Sequence, residues 1–251
     1  MEKFKGWSYD GICLEDLGLF LTNKNLGLTP TLVAGDLESD SLDGTIRQES
    51  VYGSRSFELT GTLLYPDSTE QDLNYIGQRK IESQRLLTRL FTPFIDKPLV
   101  YGFSPERAIL CQRTGDIQRK DFINHTEISI QMLAKDPFFY EAPVTVTLTN
   151  NGRIELPGTM ATGPIITVSG NVAGNRVANP YIEINGVRAT KDTAIGPGDT
   201  FIIDSHRRIS AYNNTQTVGF NEAYPMLVPG TNIIDTNLES VTIEYRPCWL
   251  T

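Results

Sequence analysis

Phe57-Glu58-Leu59-Thr60-Gly61-Thr62-Leu63-Leu64-Tyr65 decides the fold class. Its larger apolar residues, Phe57, Leu59, Leu63 and Tyr65, fall mainly on alternate positions, the period of a strand with one buried face. The same alternation returns in Thr126–Met132, Val144–Thr149, Tyr181–Ile184 and Ser240–Tyr245. Turn residues separate these runs. Asn151-Gly152 follows one of them, and Asn185-Gly186 divides Ile182-Glu183-Ile184 from Val187-Arg188-Ala189. Both pairs predict two-residue hairpins, because Asn and Gly tolerate positive φ. The chain is therefore expected to be mainly β.

One helix interrupts the strands, predicted over Thr69 to Phe91. Ser68 and Gln71 have the spacing of a capping box, Asp67 and Glu70 add negative charge near the helix start, and Pro93 ends it. Leu73, Ile76, Gly77, Ile81, Leu87 and Phe91 form its expected apolar face. A boundary is expected near Lys135-Asp136-Pro137, giving a ring-forming domain over 1–137 and a β-sandwich domain over 138–251. Six of the seven basic residues after residue 138 are arginine, and helix signals vanish there. Leu26–Ser54 is polar and too long for a comfortable loop, so it is read as an extended hairpin. The run Asp136-Pro137-Phe138-Phe139-Tyr140-Glu141 reads as a junction between the domains, with a sugar-stacking platform as the alternative.

Composition narrows the function. The 251 residues carry a net charge of −8, and both halves are acidic, which argues against a protein that grips nucleic acid but suits a passage to which DNA must not adhere. No run of about 18 apolar residues occurs, so no membrane span is expected. The charged start Met1–Lys5 leads directly into Gly6-Trp7, unlike a secretory signal, so synthesis in a cytoplasm is expected. Cys13, Cys111 and Cys248 are far apart and read as reduced, buried thiols.

Catalytic and ligand-binding patterns are missing. His125 and His206 are the two histidines. Asp204-Ser205-His206 holds the residue types of a triad, but neighbours along a strand point to opposite faces. Five scattered Cys and His residues offer no zinc pattern. Asp36, Glu38 and Asp40 begin like a calcium loop, yet Ser41 stands where glycine is needed and Arg47 where a carboxylate is needed. No phosphate-binding glycine motif occurs. The chain is read as a non-enzyme without cofactor or metal.

The order and spacing of several segments resemble the distal tail (Dit) proteins of siphophages that infect Gram-positive bacteria. These are Phe4–Gly11, Phe57–Leu63 with the helix after it, Leu133–Tyr140, Asn179–Ile184, Leu227–Asn232 and Val241–Trp249. The resemblance implies an N-terminal β-sandwich-like domain with one helix, assembling as a homo-hexameric ring around a channel, and a C-terminal galectin-like or jelly-roll sandwich. It implies a place at the virion tail tip, with the tail tube protein, the tape measure protein and a tail-associated lysin or fibre protein as partners. It implies neither sequence-specific nucleic-acid binding nor membrane contact. Candidate ring-interface residues are Asp36, Glu38, Asp40 and Asp43 on the hairpin and Arg79, Arg85 and Arg89 on the helix. The alternative is a carbohydrate-binding module, with Tyr181, Tyr212 and Trp249 as candidate sugar contacts.

Overall fold

The structure is a computed structural model that describes residues 6–22, 30, 32–33, 36–38, 45–47, 51–64, 73–102, 104–122, 125–149, 151–169, 176–213, 215–216, 221 and 223–250. The chain divides into two compact units, Met1–Phe139 with Leu250–Thr251, and Tyr140–Trp249.

In the first unit the strands are β1 (Ser8–Tyr9), β2 (Ile12–Cys13), β3 (Leu19–Leu21), β4 (Leu32–Val33), β5 (Asp36–Glu38), β6 (Thr45–Arg47), β7 (Val51–Tyr52) and β8 (Arg55–Leu64). Helix α1 (Leu73–Leu90) follows, then β9 (Lys97–Tyr101), β10 (Ser104–Arg113), β11 (Gln118–Asp121) and β12 (His125–Ala134), with β13 (Phe139–Tyr140) at the division. The sheet runs β2-β1-β9-β10-β12-β8-β3, with β11 also paired to β12. Long β10 joins β9 through Ala108–Cys111 and β12 through Gln112–Arg113, which lets the sheet curl around one core.

Strict alternation in β8 and β12 buries Phe57, Leu59 and Leu63 opposite Met132, Ile130 and Thr126. Gly61 serves close approach: a Cβ there would stand 2.6 Å from the carbonyl oxygen of Phe20 on β3. Within the segment predicted as an extended hairpin, strands β4 and β7 pair with each other, as do β5 and β6.

The helix buries Leu87, Leu90 and Phe91 in the same core, a burial worth roughly 1.5–3 kcal/mol per side chain. Ile81 departs from the expected apolar face and is 51% exposed. The stripe through Leu87 runs back instead to Lys80, Ser83 and Gln84, which are half-buried; Lys80 Nζ reaches across to donate to the Phe122 carbonyl at 2.7 Å. Ser68 and Gln71 of the expected capping box lie outside the described residues. At the other end, Lys97 Nζ donates to the Leu90 carbonyl at 3.0 Å and pairs with Asp10 at 2.9 Å, placing a cation on the negative end of the helix.

The second unit is an antiparallel sandwich. Its strands are β14 (Val144–Leu148), β15 (Gly152–Leu156), β16 (Ile165–Ser169), β17 (Tyr181–Ile184), β18 (Val187–Thr190), β19 (Thr200–Asp204), β20 (Ile209–Tyr212), β21 (Thr215–Gln216), β22 (Gly230–Thr236), β23 (Val241–Tyr245) and β24 (Cys248–Trp249). One sheet has the order β14-β23-β16-β19-β20-β21, the other β15-β22-β17-β18. Ile166, Ile203 and Ile243 from the first meet Ile154, Ile182 and Ile234 from the second in a shared core.

Asn185-Gly186 makes the predicted hairpin, with φ of 50° and 85° and Ile184 paired to Val187. Asn151-Gly152 does not. Strands β14 and β15 lie in different sheets, paired to β23 and β22, so this Asn-Gly pair marks a change of sheet. Asn151 Oδ1 accepts the Thr236 backbone N–H there at 3.0 Å.

Candidate functional site

The face of the first sheet that points away from its core is assembled by register. Glu58 lies opposite Gln131, Thr60 opposite Ser129 and Thr62 opposite Glu127. Strand β11 extends the row with Gln118 beside Ser129 and Lys120 beside Glu127. The Ser129 hydroxyl donates to the Glu58 carboxylate, and Thr22, just after β3, donates its backbone N–H to the Thr60 carbonyl at 2.8 Å. A shallow groove of about 460 Å³ runs over Thr22, Thr60, Thr62, Lys120, Glu127 and Ser129. On this face of the sheet Glu58 and Glu127 stand against Lys120, while Arg119 is in register with Ile128 on the core side. Hydroxyls, amides and mixed charge form a wetted surface with no basic excess to retain a phosphate backbone.

The expected ring-interface residues are on two elements. Asp36 and Glu38 lie on β5; Asp40 and Asp43 lie outside the described residues. Arg79, Arg85 and Arg89 are on α1, where Arg85 and Arg89 are exposed. Neither Arg85 nor Arg89 makes an ion pair among the described residues.

The expected sugar contacts are separated. Tyr181 starts β17, where the Arg188 guanidinium stands 4.1 Å from its ring centroid and its hydroxyl donates to Asp235 at 3.3 Å. Arg188 is held in turn by Glu183 at 2.7 Å. Tyr212 ends β20 with Lys191 Nζ 4.5 Å from its ring centroid, and Trp249 is half-buried on β24. Each of the two tyrosine rings thus has one face covered by a cation.

In the triad-like trio the Ser205 hydroxyl is buried without a hydrogen-bond partner among the described residues. The Asp204 carboxylate accepts the Arg207 backbone N–H at 2.9 Å, closing the turn after β19. His206 is exposed in that turn, and the His125 ring stacks on Phe122 at 4.5 Å.

No protein-family model and no curated protein sequence matches the chain. Among solved structures it is similar to the Dit protein of SPP1, described as a paradigm of the hub adsorption apparatus in phages infecting Gram-positive bacteria. The TM-score is 0.73 at 16% identity, covering 98% of this chain and 99% of that one. The chain has the distal tail protein fold. A chain in the baseplate of phage P2 in its activated conformation with calcium is also similar, with a TM-score of 0.39 at 8% identity over 94% of this chain and 92% of that one.

Within the distal tail fold, two features of this chain escaped sequence reasoning. The polar sheet face becomes visible only once the register of β8, β11 and β12 is known, although its Thr, Ser and Gln residues alternate with the core residues in the sequence. The second is Asn232, fully buried on β22. Its Oδ1 accepts from the Val228 backbone N–H and the Asn185 side-chain amide, each at 2.8 Å. Its Nδ2 donates to the carbonyls of Val228 at 2.8 Å and Gly230 at 3.0 Å. The segment Leu227–Asn232, which carries part of the family resemblance, is thus a loop closed on its own last residue.

Proposed function

We propose that this chain is the hub protein of a siphophage tail tip. Six copies form a ring that joins the tail tube to the host-adsorption apparatus, and DNA crosses the ring through its channel. The observation that carries this reading is the end-to-end likeness to the SPP1 Dit protein, which spans both units of the chain. The polar face of β8, β11 and β12 supports it as the channel wall, since a surface without basic excess gives DNA no foothold. The hairpin β4–β7 supports it as the arm between subunits. Among the described residues its strands pair with each other and not with the main sheet, and Tyr52 of β7 meets Phe138 edge-on at 5.5 Å; so small a sheet is marginal in water until more packs on it. Arg85 and Arg89 supply cations on an open helix face for the acidic side chains of a neighbour, the arm's Asp36, Glu38, Asp40 and Asp43 among them. Tail tube, tape measure and lysin or fibre proteins are the partners this role entails.

The competing sugar-binding role gains no support from Tyr181 and Tyr212, each with a cation over one ring face. Light scattering of the purified full chain tests the hub. Six copies of the 27.9 kDa chain correspond to about 167 kDa, and a monomer at micromolar concentration would overturn the ring. Deleting residues 36–43 is expected to weaken the assembly; an unchanged mass would remove the arm from the proposal.

A further inference from the structure

Beside the C-terminal half of α1, where β10, β11 and β12 meet, lies a cavity of about 330 Å³. Its floor is apolar, built from the core residues Leu63, Leu87 and Ile128; Arg113, Asp116 and Arg119 stand in its wall. The backbone of Arg113 is fixed: it pairs with Met132 and forms a bridge with Pro93, and its carbonyl accepts the Phe94 N–H at 3.4 Å. Its side chain is not matched in the same way. Arg113 Nε is shielded from solvent and has no hydrogen-bond partner, and neither Arg113 nor Asp116 is in an ion pair among the described residues. Among the described residues the ion pair of Arg119 is a long contact to Asp121, at 3.9 Å.

Arg113 is half-buried and carries its charge there without a paired carboxylate among the described residues, and a partly buried charge left unpaired is costly. Two guanidiniums over an apolar floor, in a chain of net charge −8, select an anion. The planar fork of arginine matches the two oxygens of a carboxylate, and the carboxylate of Asp116 in the wall disfavours a doubly charged phosphate. The volume is at the small end of ligand sites. We infer that this cavity binds a carboxylate carried on a short apolar body, held by Arg113 and Arg119. The carboxylate belongs either to a small free acid or to an acidic side chain of a second copy of this chain.

Calorimetry on the full chain, with hexanoate, hexanol and inorganic phosphate as probes, tests the site. Hexanoate is expected to bind, with hexanol and phosphate each at least tenfold weaker. Arg113→Gln is expected to abolish the hexanoate signal. Arg119→Gln, at a half-exposed position where folding is safe, is expected to weaken it several-fold. If hexanoate does not bind but Arg119→Gln and a folded Arg113→Gln both change the sedimentation coefficient, the carboxylate comes from a second copy. No hexanoate binding with unchanged sedimentation overturns the inference, as does equal binding of hexanol. A chain that is monomeric yet binds hexanoate would overturn the hub and leave this site standing.

Discussion

The ring of Tyr9 lies flat against that of Phe91, with centroids 4.7 Å apart and 9° between the planes. The pair ties the first strand to the end of the helix. The Tyr9 hydroxyl is also engaged, donating to the Cys111 carbonyl at 3.2 Å, and burial pushes its ionisation well above the usual tyrosine range. Tyr9→Phe is expected to cost about 1 kcal/mol for the lost hydrogen bond. Tyr9→Ala is expected to cost about 3–5 kcal/mol. Urea unfolding followed by near-ultraviolet circular dichroism measures both, and equal losses would mean that the ring packing contributes nothing.

Asn232→Leu leaves the Val228 N–H and the Val228 and Gly230 carbonyls without the partner that closes their loop. A loss of about 2–4 kcal/mol is expected. Asn232→Asp keeps the acceptor but loses the amide donor, and is expected to be destabilising as well. Thermal unfolding checks both variants; a melting temperature unchanged in Asn232→Leu contradicts the clamp.

Phe94 has φ of 63° and is 74% exposed. A bulky side chain in the left-handed region is strained, and here little packing offsets it. Phe94→Asn, whose short polar side chain tolerates that backbone, is expected to stabilise the protein by about 1 kcal/mol. A lower melting temperature would show that the exposed ring has a packing role.

The three thiols should separate kinetically. Cys111 is fully buried, and burial pushes its thiol up to about 12, so thiolate is scarce at pH 8. Cys248 is buried and Cys13 is half-buried. Maleimide labelling of the native protein, read by peptide mass spectrometry, is expected to modify Cys13 first and Cys111 only after denaturation.

Asp199 gives the second unit an acid limb. A hydrogen bond from Tyr212, another from the Asn213 amide at 3.0 Å and the Gly196 backbone N–H at 2.8 Å hold its carboxyl down at about 2, against an ordinary 3.8. The folded pKa is the lower one, so the stabilisation is fully present above about pH 4 and fades as pH falls towards 2. Asp199→Asn is expected to flatten the pH dependence of unfolding across that window; an identical slope in both proteins would contradict the assignment.

Where burial follows a strict period, the sequence was readable. Strands β8 and β12 show their alternation plainly, and Asn185-Gly186 sits between runs that do pair. The misreadings have physical causes. Ile81 was placed on the buried face of α1 because Lys80, Ser83 and Gln84 occupy that face while being polar. Asn151-Gly152 carries a local hairpin signal, but sheet membership is decided by β22 and β23, some 80–90 residues later. The candidate sites were harder still. Leu63, Leu87, Arg113 and Arg119 meet in one cavity through strand register and the packing of α1, and no spacing along the chain announces it.

Arg55 gives the order of synthesis a consequence. Its guanidinium, 3% exposed in the first unit, donates to the Leu250 carbonyl at 2.7 Å across 195 positions of sequence. At about 5–20 residues per second on a ribosome, roughly 10–40 seconds separate the two residues. The unit made first therefore waits for the unit made second, because this bond forms only after residue 250 has been translated. Newly made chains remain unfinished during that interval, which delays the moment at which a first unit is fit to meet its neighbours.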